Sequence, residues 1–285
     1  MFLLRWMSRW PLWLLHACGA LAGWLAFALS GAYRRRLWSQ ARAAGSSAAQ
    51  TRGAVAAAGR MLFEIPWLWL RPQQRPLGDW AQWEGAERLQ ALLDQRRGLL
   101  MMTPHLGCFE VAAQAYAERF GAQAPMTALS RPARKPWLRE LVAAGRDRPG
   151  LKAAPATLAG VRQMLRALRQ GETVGLLPDQ VPPEGLGVWV PFFGRPAYTM
   201  TLAARLMQQT GAAVVLLWCE RLAWGRGFVV HVREFPTPPP DADLEGLTAQ
   251  VNRTMEALIL EAPQQYLWGY NRYKNPRPLD LGGTS

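Results

Sequence analysis

The chain has 285 residues and a formal net charge of +13, from 33 lysines and arginines against 20 acidic residues. That length holds one large domain or two small ones with a full core; the charge suits an anionic membrane or an acidic protein, and the lack of a zinc-finger, homeodomain or RNA-binding signature sets nucleic acid aside. Cys18, Cys108 and Cys219 form neither a disulfide framework nor a metal spacing and read as small buried hydrophobes in a reducing compartment, and the three histidines stand too far apart to suggest a metal site.

An apolar run extends from Trp10 to Ala32, close to the ~20 residues a spanning helix needs. Arg5 and Arg9 precede it, and Arg34, Arg35, Arg36 and Arg42 follow it. Residues 1–32 are therefore expected to be an uncleaved, single-pass anchor with the rest of the chain cytoplasmic. A helix lying in the interface is the alternative. A signal peptide fits less well, because Ala26-Phe27-Ala28 is a poor cleavage site. The 14 tryptophans suit interfacial anchoring. Residues 33–72 predict an amphipathic juxtamembrane helix, dipping into the bilayer surface or packing on the domain, with Pro66 and Pro72 ending regular structure.

From residue 73 helices and strands alternate. A helix is expected over 83–97, then a short apolar strand from Leu99 to Met102, a turn carrying Thr103, Pro104 and His105, and a helix opening near Gly107. A strand over 124–130, a helix over 131–149 and a basic helix over 157–170 follow. The strand over 173–177 ends in Pro178-Asp179-Gln180. Beyond a Pro/Gly loop at 181–187 and the segment 188–193 come a helix over 199–210, strands over 213–219 and 228–234, a rigid proline linker at 236–240 and a helix over 244–261. Residues 279–285 read as a disordered tail. This alternation argues an α/β fold around a partly parallel sheet. Chemistry in such sheets collects beyond the carboxyl ends of strands, where His105 and Asp179 stand.

His105 and Glu110 are five apart, one on a loop and one in the first turn of a helix. That spacing can fold a base onto the carboxylate that orients it. No serine or cysteine has a nucleophile-elbow context, so the expected nucleophile is a hydroxyl on the substrate. Asp179 could orient a basic group or hold its loop through backbone donors. Arg131, Arg148 and Arg195 are secondary candidates for contact with an anionic group. Phe109, Phe192 and Phe193 are candidates to line an apolar channel, although core packing suits each alone. Arg162, Arg166 and Arg169 fall at i, i+4 and i+7 and predict an exposed basic stripe.

Four stretches occur in order: TPHLGCFE at 103–110, GRDR at 145–148, LPDQ at 177–180 followed by VWVPFFGRPAYT at 188–199, and QYLWGYNRYKNPRP at 265–278. Together they resemble the lysophospholipid-acyltransferase superfamily and, more narrowly, the late acyltransferases of lipid A biosynthesis. The resemblance implies a glycerolipid-acyltransferase-like mixed sheet flanked by helices, with an N-terminal transmembrane helix. It implies an inner-membrane enzyme moving a fatty acyl chain from acyl carrier protein to a hydroxyl of a lipid A precursor, with no cofactor beyond the acyl thioester co-substrate and no metal. By motif, His105 and Glu110 carry over as the catalytic pair, with Arg146 and Asp179 as supporting residues. An arginine at 146 suits a phosphate or a developing oxyanion. The chain departs from the pattern at Pro104, where the family often has Asn, at Phe109, where it often has Trp, and at Tyr270 to Lys274, which replace a His-Arg-Arg-Phe-Lys run. These departures leave the acceptor open. Acyl-CoA-dependent acylation of a lysophospholipid or glycolipid is the alternative reading, and a non-catalytic membrane-anchored binding protein is a third.

Overall fold

The computed structural model describes residues 2–130, 142, 145 and 148–278. Nine strands are described: β1 Ala81–Glu84, β2 Leu99–Met102, β3 Met126–Ser130, β4 Leu151–Pro155, β5 Thr173–Leu176, β6 Gly187–Phe192, β7 Arg195–Met200, β8 Ala213–Arg221 and β9 Phe228–Glu234. Seven of them form one mixed sheet in the order β1-β9-β8-β2-β5-β3-β4, and β6 and β7 form a separate hairpin. Every neighbouring pair in the large sheet is parallel except β8–β9. The helices around it are α5 Ala86–Asp94, α6 Phe109–Phe120, α7 Leu158–Arg169, α8 Leu202–Thr210 and α9 Leu244–Glu261. The mixed α/β sheet expected from the alternation is present.

β2 and β5 are buried at every position, as parallel strands covered on both faces must be. Alternate residues divide between two cores. Leu100, Met102, Val174, Leu176 and Leu216 face a core shared with α7, α8 and α9. Leu99, Met101, Val215 and Leu217 face one shared with α5 and α6.

Three strands differ from the sequence expectation. β1 lies where a helix over 83–97 was expected to begin, and β4 lies just beyond the expected 131–149 helix. Each is an edge strand of at most five residues. So short a strand carries too little periodicity to declare itself and is fixed by its single neighbour. β7 occupies 195–200, so the helix expected from 199 starts only at Leu202. The Phe193-Gly194 turn explains this: both residues have positive φ, 45° and 70°, the geometry that closes a two-residue hairpin.

Four helices precede the sheet: α1 Phe2–Met7, α2 Leu12–Leu29, α3 Gly31–Ala43 and α4 Ala48–Trp69. The stretch read as one helix over 33–72 is two, because Ser47 and Gln50 form a capping box that starts α4 afresh. Pro66 lies inside α4, whose buried Glu64, Leu68 and Trp69 carry the helix through it. α2 is the one described helix long and apolar enough to cross a membrane. Its inward stripe is Leu12, Leu15, His16, Gly19 and Gly23, and α4 runs back antiparallel along it, with Gly19 and Gly23 against the backbone of Gly59. Glycines there let the two backbones touch. The N-terminal end of α2 abuts Gly225, in the turn between β8 and β9. Beyond its C-terminal end Tyr33 of α3 packs on Gly269, and Gln40 Nε2 donates to the carbonyls of Trp268 and Tyr270 at 2.7 Å each.

Candidate active site

β2 and β5 are parallel neighbours in register, with Met102 beside Leu176. Three residues beyond each stand His105 and Asp179, so the register itself brings them together. His105 Nδ1 lies 2.7 Å from Asp179 Oδ1. The His105 backbone N–H donates to Oδ2 at 2.9 Å, and Tyr266 donates its hydroxyl to the same oxygen at 3.1 Å. Asp179 is buried, which by itself raises its carboxyl. The adjoining His105 ring and the bonds from its ring and backbone outweigh burial and hold the carboxyl below the usual range. An ionised carboxylate only accepts, so Nδ1 carries the ring proton and Nε2 presents its lone pair. The Gln180 amide nitrogen sits 3.0 Å from Nε2 and donates to it in this tautomer. The ring is 16% exposed, and Phe109 lies against it with centroids 4.8 Å apart.

The turn that carries His105 is clamped on both sides. Gly107 N donates to Gln265 O at 3.1 Å, Cys108 N to Cys219 O at 2.8 Å, and Leu267 N to His105 O at 3.2 Å. Gly107 has φ +60°, and a Cβ there would run into the Cys219 carbonyl oxygen, so glycine is required twice over. Beneath it Arg221 Nη2 donates to Gly107 O at 3.2 Å and to Glu64 Oε2 at 2.8 Å, while Arg221 Nε donates to Glu64 Oε1. His16 Nε2 of α2 meets the same Oε1 at 2.6 Å. Burial pushes the Glu64 carboxyl up, but the Arg221 charge and the bonds from His16 and Arg221 bring it down to about 2. Cys108 and Cys219 are buried beside this carboxylate, and burial first, then Glu64, pushes both thiols well up. Neither is a thiolate nucleophile at neutral pH.

The imidazole's partner differs from the one the His-Glu spacing predicts. Its two ring nitrogens face Asp179 and Gln180, whereas Glu110, the second residue of α6, accepts from Trp69 Nε1 at 3.1 Å. The sheet register sets the first contact, and the first turn of α6 sets Glu110 against Trp69 of α4. Gly145 packs on Trp69, and its carbonyl accepts from Gln114 Nε2 at 3.2 Å, placing the glycine of the Gly-Arg motif next to Glu110's partner. Arg146 and Arg131 lie outside the described residues. Arg148 is buried with its Nη2 on the carbonyls of Leu68 and Arg71 at 3.2 and 2.9 Å, so it clamps the end of α4. Arg195 lies 3.9 Å over the Tyr273 ring, on the β6–β7 hairpin. Phe192 is core, and Phe193 packs on Trp268.

Sequence reasoning assigned no role to Gln180, Tyr266, Glu64 or Arg221. Tyr266 and Gln180 stood inside the motif stretches, but nothing in their spacing announced that they meet His105 or its partner. Arg272 lies in the closing run and proves to be a buried clasp, donating to Tyr198 O at 2.8 Å and Thr199 Oγ1 at 2.6 Å.

An oriented base whose Nε2 meets only the Gln180 amide among the described residues fits transfer of a group to a substrate hydroxyl. The chain is 30% identical over 217 residues to the lipid A biosynthesis lauroyltransferase of Escherichia coli K12, covering 76% of this chain and 69% of that one. It is 28% identical over 225 residues to the lipid A biosynthesis palmitoleoyltransferase of the same organism, and likewise to a lipid A biosynthesis acyltransferase of Shigella flexneri, covering 78% of this chain and 70% of each of those. The profile of the bacterial lipid A biosynthesis acyltransferase family matches residues 1–275, the whole described fold but for its last residues. The protein is thus an acyltransferase, a member of the bacterial lipid A biosynthesis acyltransferase family.

Proposed function

We propose that this enzyme transfers a fatty acyl chain from the thioester of an acyl carrier protein to a hydroxyl of a lipid A precursor, with His105 as general base. The observation that carries the reading is the Nδ1 contact to an ionised Asp179, which leaves Nε2 as the basic atom. The acceptor hydroxyl displaces the Gln180 amide from Nε2 and gives up its proton there as its oxygen attacks the thioester carbonyl carbon. The C–S bond breaks, and the leaving thiolate takes the proton back from Nε2. Asp179 keeps the tautomer and stabilises the transient imidazolium. Glu110 supports the site at the α4–α6 junction, where it accepts from Trp69. Purified enzyme tests this with a lipid A precursor and either carrier-protein or CoA thioester as donor. Lipid A from a strain lacking the gene should also lose one secondary acyl chain. An unchanged lipid A profile, with no transfer from either donor, would refute the reading; transfer from CoA alone would favour the lysophospholipid or glycolipid alternative.

The enzyme works on the membrane surface. Trp6, Trp13, Leu21, Leu25 and Leu29 are exposed along α1 and α2, and Trp224, 87% exposed, stands beside the Gly225 that α2 abuts. Arg5, Arg9 and Arg34 to Arg36 flank this apolar face, a pattern suited to an anionic leaflet. Crossing the bilayer with α2 would carry α4 with it, together with Arg52, Arg60 and the buried Glu64–Arg221 pair, because the two helices share one seam. The packing therefore favours α2 lying in one leaflet over the single-pass anchor. Protease-accessible tags at residue 1 and at the C-terminus should be cleaved from the same side; cleavage from opposite sides would restore the spanning arrangement.

A further inference from the structure

A cleft of about 570 Å³ opens between α1, the end of α4 and residues 71–80. Arg5, Arg9, Arg71 and Arg75 line it together with Trp67 and Trp80, and no carboxylate of the described residues does. The two indoles meet edge to face with centroids 5.6 Å apart. Arg71 is the anchored member: its side chain is 6% exposed, and its Nη2 donates to Gln114 Oε1 at 3.0 Å and Glu118 Oε1 at 2.7 Å. Its Nε and Nη1 have no hydrogen-bond partner among the described residues. Burial lowers its guanidinium to about 10; Glu118 opposes the shift, and the charges of Arg148 and Arg75 add to it. Among the described residues Glu118 is the only carboxylate bonded to Arg71, and it is shared with the Leu77 N–H at 2.8 Å. Four cations thus converge with one carboxylate between them.

We propose that this cleft binds the phosphate of a membrane amphiphile, holding it beside α6. Guanidinium forks match the oxygens of a phosphate, and several can share one group. The volume admits a head group rather than a bare ion. The exposed Leu3 and Trp6 of α1 place the cleft at the edge of the apolar face, where an amphiphile's phosphate lies. Gln114 and Glu118, which hold Arg71, stand one and two turns along α6 from Glu110, so a ligand here is aligned with the helix that opens at the His105 turn. The phosphate belongs either to a bilayer phospholipid or to the acceptor, and only the latter source rests on the function proposed above.

The test uses full-length enzyme in neutral detergent and an Arg9→Glu/Arg75→Glu variant, both positions being exposed. Arg71 is left intact because it ties α6. An Arg88→Glu/Arg97→Glu variant, also at exposed positions, controls for net charge, and an Arg9→Gln/Arg75→Gln variant covers the case in which charge reversal unfolds the chain. Two quantities are read: partition onto phosphatidylcholine vesicles carrying phosphatidic acid or an equal charge of oleate, and kcat and KM for a phosphorylated acceptor. The cleft variants should lose at least about tenfold in partition onto phosphatidic acid vesicles or show an acceptor KM raised by at least about tenfold, with kcat kept. Loss of vesicle binding alone assigns the site to bilayer phospholipid, and a raised KM alone assigns it to the acceptor. No change in either, an equal loss on oleate vesicles, or the same loss in the control variant overturns the proposal.

Discussion

Replacing Asp179 with asparagine separates the two accounts of the base most sharply. The carboxylate now accepts from three donors, the Nδ1–H and backbone N–H of His105 and the Tyr266 hydroxyl. An amide offers one accepting oxygen and one donating nitrogen. The nitrogen must either face a donor or turn toward Nδ1 and draw the ring into the other tautomer, which moves the proton to Nε2 and abolishes the base. The loss should approach the whole general-base contribution, about 10²–10⁴ in rate, or ~3–5 kcal/mol of transition-state stabilisation. It should fall on kcat with KM little changed, because no substrate contact is removed. Glu110→Gln leaves the tautomer alone and should cost less than about tenfold. Steady-state kinetics on both purified variants decide the matter, with thermal melts to show that they fold. An Asp179→Asn enzyme within threefold of the parent in kcat, beside a dead Glu110→Gln enzyme, would mean that Glu110 is the orienting acid after all.

Gly107→Ala should abolish activity and lower the melting temperature, because the new methyl meets the Cys219 carbonyl at a positive φ; a fully active, equally stable variant would show that the turn can shift without moving His105. Glu64→Gln should destabilise the protein by about 3–5 kcal/mol, since it strands the buried Arg221 charge, as denaturant titration would read. The folded Glu64 carboxyl is lowered to about 2, so its contribution is present above the ordinary carboxylate range and lost as pH falls toward 2; the variant's melting temperature should vary less with pH in that window. Arg162, Arg166 and Arg169 are exposed on α7. Changing all three to glutamate should raise KM for the carrier-protein donor and flatten its salt dependence, because exposed charges act through a field screened over about 8–10 Å. If neither quantity moves, the stripe is a solvated face.

Local pattern sufficed where an element is long or stands beside strong punctuation. β2, β5, β8, β9, α7 and α9 lie close to where apolar runs, periodicity and glycine or proline boundaries put them, and the strand-end positions of His105 and Asp179 were legible for the same reason. Edge strands β1 and β4, the break between α3 and α4 and the second strand of the hairpin were not, because each depends on a partner or a cap rather than on its own periodicity. The choice between Glu110 and Asp179 as the partner of His105 is the instructive case. Spacing along the chain favoured the residue five positions away, and only the parallel register of β2 on β5 brings a residue 74 positions away onto Nδ1. Likewise the apolarity of α2 is a property of its own residues, whereas its glycine seam with α4 and its His16–Glu64–Arg221 tie to the catalytic turn exist only in the folded chain. Sequence determines which segments can bury apolar surface and which side chains could do the chemistry; tertiary packing decides which of those side chains meet, because contact depends on register and crossing geometry that no local window contains.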